Sequence, residues 1–191
     1  MKKSRNNLFT YFLLGLCGVL VLVSCHTEQR KEQLQEEYKT RGIVITDSLQ
    51  GVLMHNVGKQ IKACGLLQPL SFCNRKALPL TGSLSESYGV TVQRLAEKNR
   101  NPINALTTSL DKEVWEQIED SPEGLITQDS EGSYVYYRPI TIAMASCLQC
   151  HGKKEALLPS VRDALSFYYP ADKAIDFKHE DLRGMWKVSF E

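Results

Sequence analysis

Five residues, Cys147-Leu-Gln-Cys150-His151, constrain this chain more than any other stretch of it. Two thiols three positions apart, with an imidazole directly after the second, must share one short turned segment. C-x-x-C-H is the attachment signature of a c-type haem. The thiols reach the two vinyl groups on one porphyrin edge, and the next residue's imidazole lies below the iron. Gly152 follows, and without a side chain the backbone can turn away from the macrocycle. Two other uses of a C-x-x-C pair fit the surroundings less well. A thioredoxin-type pair opens a helix after a strand in a βαβ pattern, which does not surround it. A zinc site needs two further ligands at motif spacing, and Cys64 and Cys73 stand nine positions apart. The expected cofactor is therefore one covalent haem c, with thioethers at Cys147 and Cys150 and His151 as an axial iron ligand.

The N-terminus supplies a compartment suited to such a group. Met1-Lys-Lys-Ser-Arg5 carries positive charge and no acid, and residues 8–23 are apolar. That stretch falls short of the ~20 residues of a spanning helix, and it stops at Leu22-Val-Ser-Cys25, which resembles a lipoprotein lipobox. Residues 1–24 read as a lipoprotein signal peptide and Cys25 as the lipidated first residue; an uncleaved anchor is the alternative. Both readings export the chain and hold it at a membrane, facing the periplasm or the outer surface. Cleavage removes Lys2, Lys3 and Arg5, taking 23 basic residues to 20 against 22 acidic ones, so no basic excess points to nucleic acid. Export also means oxidation, where loose thiols pair; Cys64, Cys73, Cys147 and Cys150 are those left to place.

Along the mature chain, residues 25–45 are charged and read as a solvated helical tether, and 46–191 as one domain. From 47 to 67, Leu49, Leu53, Val57, Ile61 and Cys64 recur at intervals of three and four, which predicts an amphipathic helix capped by Thr46 or Asp47 and ended or kinked by Pro69. Residues 81–104 predict short irregular pieces with a helical turn at 91–98. Thr108-Ser-Leu-Asp111 predicts a capped short helix over 112–119 that turns Val114, Trp115 and Ile118 inward. Residues 124–128 and 133–143 predict a hairpin, and 184–191 a last strand with one buried face. The fold class is α+β with a central antiparallel sheet, a long N-terminal helix and flanking short helices.

The second axial position of the iron decides what such a protein can do. Filled by protein, it suits electron transfer or redox sensing; open, it suits gas or peroxide. Candidates are Cys64, Cys73, His55, His179, Met54, Met144 and Met185. Since Cys64 belongs to the apolar stripe, His55, nine positions earlier, points outward. Met144 stands too close to the attachment segment to swing across, and Met185 reads as a core residue. A Cys64–Cys73 disulfide would need a sharp break, because nine helical residues span about 13 Å and a bridge needs less than ~7 Å. From the residues alone Cys64 stays open between ligand, disulfide partner and small core residue.

Several short motifs in order carry a resemblance. They are Ala63-Cys64, Arg94-x(5)-Arg100-Asn101-Pro102-x-Asn104, Trp115-Glu116, Tyr137-Arg138-Pro139-Ile140, the C-x-x-C-H, Tyr169-Pro-x-Asp172 and Leu182-Arg183-Gly184-x-Trp186. Together these resemble the c-type haem-binding family with a PAS-like fold, found as small exported bacterial proteins and as sensor modules of receptors. The resemblance spans 47–191. It implies that a cysteine near the end of the first long helix supplies the second axial ligand, for which Cys64 stands at the matching place, with His179 the runner-up. The chain departs from the family around Ala174-Ile-Asp176 and His179-Glu180-Asp181, where glycines are usual, so a different turn is expected there. Arg138, Arg94 and Arg100 either pair with haem propionates or form surface salt bridges.

A thiolate on iron would favour the ferric state, so the resemblance implies redox or haem sensing or low-potential electron transfer, through a redox or signalling partner. A peroxidase-like enzyme or gas sensor with an open iron site is the alternative. Catalysis would need a distal acid or base, and no second histidine on the apolar stripe supplies one.

Overall fold

The computed structural model describes the backbone of residues 5–190 and the side chains of residues 28–190. The expected signal segment, 1–24, and the lipidation residue Cys25 lie outside the residues with described side chains. Two compact units are present, residues 1–37 and 38–191. The first is the beginning of helix α1 (Arg5–Cys64), and residues 28–34 of it are exposed. Among the described residues no helix is long and apolar enough to cross a membrane.

The second unit is an α+β domain on a four-stranded antiparallel sheet. After α1 come α2 (Leu67–Arg75), α3 (Ala77–Tyr88), β1 (Val90–Leu95), α4 (Ser109–Ile118), β2 (Leu125–Gln128), β3 (Tyr134–Thr141), α5 (Leu148–His151), α6 (Pro159–Tyr168) and β4 (Leu182–Phe190). The strand order is β1-β4-β3-β2, so the last strand fills the centre and joins the first to the hairpin.

The part of α1 in this unit lies on one sheet face, with Ile45, Leu49 and Leu53 buried against Val92, Tyr136, Trp186, Val188 and Phe190. Helix and sheet meet closely at Gly42, where any Cβ would run into the Tyr136 ring. On the other face α4 buries Val114 and Ile118 against Leu95, Val135, Tyr137 and Met185. Each fully buried side chain of this kind contributes roughly 1.5–3 kcal/mol. Met185 and Trp186 are both at most 2% exposed, so β4 is covered on both faces around them, where one buried face was expected. The reason is its central place, with a helix on each side.

Other expectations also shift. Thr46 does not cap a new helix; its hydroxyl donates to the Gly42 carbonyl inside α1. That helix ends at Gly65, left-handed at φ 73°, not at Pro69, which sits buried in the first turn of α2. The turn expected at 91–98 is mostly strand β1, because Val90, Val92 and Leu95 are buried in its pairing with β4. Residues 81–88, expected to be irregular, belong to α3. The capped helix α4 holds, with Thr108 and Asp111 closing a reciprocal capping box, and the hairpin pairs Leu125 with Tyr137 and Gln128 with Tyr134.

Candidate functional site

The C-x-x-C-H segment forms a short 3-10 turn, Ala145–Cys147, running into α5. Gly152 ends it with its N–H on the Leu148 carbonyl, the same oxygen a Cβ there would strike. Cys147 packs beside Ile142, Ala174 and Phe177, and Cys150 beside the α2–α6 cluster of Leu70, Leu157, Val161 and Leu165. Both thiols are half-buried and unpaired.

His151 is held from two directions. The backbone N–H of Phe177 donates to its carbonyl, and its Nδ1 stands 2.7 Å from the Ala174 carbonyl oxygen. A carbonyl can only accept, so the 2.7 Å contact puts the proton on Nδ1, and the Arg183 Nε–H at 3.3 Å acts there as a charge and not as a hydrogen-bond donor. Nε2 keeps its lone pair without a hydrogen-bond partner among the described residues. Burial, together with the positive charges of Arg100 and Arg183, pushes the His151 pKa well below its usual value. The ring is neutral and orientated, as a metal-ligating imidazole needs to be.

Around it three arginines converge. Arg100 is buried, with Nε 3.0 Å from Asp172 Oδ2 and Nη2 donating to the carbonyls of Cys150 and Ala174 at 2.6 and 3.1 Å. Arg183 places Nε 3.3 Å from His151 Nδ1; burial and the charges of Arg94 and Arg100 bring its pKa down to about 9. Burial also lowers Arg94. Three guanidinia thus share a poorly solvated corner in which Asp172 is the carboxylate paired among the described residues. Such an excess of cation favours an anion, a carboxylate or a thiolate.

The thiol in that corner is Cys73 on α2. Burial pushes its pKa above the usual thiol value, and the charges of Arg94 and Arg100 offset that only in part. Its charge is felt in turn by Cys150 and Tyr169, and Asn74 beside it donates to the Tyr168 carbonyl, tying α2 to α6. Cys64, by contrast, is exposed at the end of α1, without a disulfide.

The remaining expected residues lie apart from this corner. Arg138 reaches Asp47 at 2.6 Å and Thr46 at 3.2 Å, so α1 already occupies its guanidinium. His179 is exposed on a turn facing Glu180, His55 is exposed on α1, Met144 is exposed, and Met185 is fully buried. The turns at Asp176 and Glu180 keep left-handed backbone, φ 62° and 72°, although neither residue is glycine. The sequence reading did not single out Arg183 as a site residue, although its signal was its place in Leu182-Arg183-Gly184, and Cys73, one of several ligand candidates there, lies 21 and 27 positions before the Arg94 and Arg100 that surround it.

Among the described residues no three His, Cys, Asp or Glu side chains gather into a cage for a bare metal ion. The donors are one neutral imidazole, a pair of thiols three positions apart, a third half-buried thiol and cations for carboxylates. That set fits a haem held covalently, with a histidine on its iron.

The sequence model of the Tll0287-like family matches residues 30–190. The crystal structure of the cyanobacterial heme-protein Tll0287 aligns with a TM-score of 0.63 at 24% identity, over 81% of this chain and 94% of that one. At that identity the likeness speaks for the fold. Among curated proteins no relative matches.

Proposed function

The chain belongs to the Tll0287-like family, and from that premise we propose that it is an exported, lipid-anchored monohaem c-type protein that works in redox sensing or low-potential electron transfer. The solved neighbour is a haem protein. The observation that carries the reading is the neutral His151 ring, its Nδ1 on the Ala174 carbonyl and its Nε2 unused, within four positions of two unpaired thiols.

Cys147 and Cys150 would hold the group through thioethers, and His151 Nε2 would ligate its iron. The haem, when bound, supplies a one-electron ferric/ferrous couple. For the other axial position the support favours Cys73 over Cys64. Cys73 is a partly buried thiol in the arginine corner, where Arg94 and Arg100 offset part of the burial that raises its pKa and iron binding would complete its deprotonation, whereas Cys64 is exposed. A thiolate ligand favours the ferric state and keeps the potential low. Arg94 and Arg183 remain for the propionates, while Arg100 is engaged within the protein. Cys25 would carry the lipid that holds the domain at the membrane, where a redox or signalling partner exchanges electrons or reads the state.

The test is to mature the chain in an exporting host with a c-type haem attachment system and to record the pyridine haemochrome, optical and EPR spectra. A c-type haemochrome and low-spin ferric thiolate signals that vanish in Cys73→Ala and persist in Cys64→Ala are expected. Loss of those signals in Cys64→Ala alone would reverse the ligand assignment. No covalent haem in the wild type would overturn the function.

A further inference from the structure

Arg100 and Asp172 together hold one residue, Ala174, by both of its backbone polar groups. Asp172 Oδ1 accepts the Ala174 N–H at 2.8 Å, and Arg100 Nη2 donates to the Ala174 carbonyl at 3.1 Å. The pair itself closes at 3.0 Å with side chains only 8% and 10% exposed. The same guanidinium nitrogen reaches the Cys150 carbonyl at 2.6 Å, directly before His151. Ala174, fully buried, is the residue whose carbonyl receives the His151 Nδ1 proton. One planar fork therefore spans the attachment segment and the loop that orientates its histidine.

The Ala174 oxygen thus serves two donors, an imidazole N–H and a guanidinium N–H. A carbonyl already bound to a cation is a weaker acceptor for the second donor. The pull on the imidazole proton, which makes a ligating histidine more basic and favours ferric iron, is reduced accordingly.

We propose that Arg100, braced by Asp172, is a positioning residue that fixes the His151 ring and limits its basicity through the shared Ala174 carbonyl, holding the reduction potential above the value that His151 and a thiolate would otherwise set. The inference rests on the haem reading of the previous subsection. Arginine is required because the roles are divided over one rigid fork; a lysine ammonium keeps the charge but cannot brace Asp172 and both carbonyls in one plane.

The test uses the full-length haem-loaded protein, solubilised, with redox titration and ferric EPR of Arg100→Gln, Arg100→Lys and Asp172→Asn. The bond from Arg100 to the shared carbonyl is charge-assisted, and its loss is expected to change the redox ratio about tenfold. Arg100→Gln and Arg100→Lys each lower the reduced-to-oxidised ratio at fixed ambient potential about tenfold, which is about 59 mV for one electron, and alter the EPR g-values. Asp172→Asn shifts the ratio the opposite way, because the fork then acts on Ala174 without its counter-charge. An Arg100→Lys protein with wild-type potential and g-values would overturn the proposal, leaving charge alone as the cause. Shifts of the same sign in Arg100→Gln and Asp172→Asn would overturn it too, as they would report general loosening. Should Arg100→Gln fail to accumulate, the other two variants decide. A wild type without covalent haem would overturn both this inference and the reading beneath it, whereas a haem-loaded wild type with unmoved variants would overturn this inference alone.

Discussion

Replacing Asp111 by asparagine removes one charge from a fully covered corner of the domain. Asp111 Oδ1 accepts from the Tyr137 hydroxyl at 2.7 Å and from Lys187 Nζ at 2.8 Å, while Oδ2 accepts the Thr108 N–H at the start of α4. The carboxylate side chain is 2% exposed and the ammonium 13%. Asparagine keeps the volume but leaves Lys187 charged beside a neutral amide. Breaking a buried pair in this way costs about 3–5 kcal/mol, and the partial exposure of Lys187 holds the value near 3 kcal/mol. At about 2–4 °C per kcal/mol for a domain of this size, the melting midpoint falls by roughly 6–12 °C. Burial by itself would raise the Asp111 pKa, but the hydrogen bonds from Lys187, Thr108 and Tyr137 outweigh it and hold the carboxyl below its usual value. The folded-state pKa is thus below the unfolded value near ~3.9, so this stability is complete above that pH and disappears as pH falls through the folded-state value. Thermal melts of wild type and Asp111→Asn from pH 7 to pH 3, followed by tryptophan fluorescence, should show a gap that is constant above about pH 5 and narrows as the pH falls below about 4. Adding Lys187→Met should recover part of the loss by removing the orphaned charge. A gap under ~2 °C at pH 7, or one that does not change with pH, would refute the reasoning.

Three further outcomes can be checked directly. Gly42→Ala drives a methyl into the buried Tyr136 ring and should destabilise the domain by about 1–3 kcal/mol in urea unfolding; an unchanged midpoint would mean that α1 does not approach the sheet so closely. In protein produced without haem, a maleimide should label exposed Cys64 before half-buried Cys73, whose raised pKa leaves less thiolate, as mass spectrometry of Cys64→Ser and Cys73→Ser will show; equal rates would contradict the partial burial of Cys73. Arg138→Ala removes a partly exposed pair with Asp47 and should cost under about 1 kcal/mol with no change in the haem spectrum, and a spectral shift would return Arg138 to the site.

The amino-acid sequence by itself placed two thiols and an imidazole together, because C-x-x-C-H is local: within five positions they share one turn in any fold that admits them. It also determined the capped helix at Thr108 and Asp111 and the 125–141 hairpin, whose signals lie within a few residues of each other. Strand β1 was hidden, since Val90 to Leu95 is a short run whose burial comes from pairing with β4, some ninety positions later. The two-sided burial of β4 was hidden for the same reason, as only the sheet order puts it in the centre. Which thiol shares the arginine corner was likewise visible only in the tertiary structure. Helical spacing placed Cys64 on an apolar stripe, but the stripe ends at Gly65, and α2 carries Cys73 to the corner where Arg94, Arg100 and Arg183 meet. Charges drawn from residues 94, 100 and 183 act on one imidazole because the fold removes the water between them, and no spacing along the chain records that.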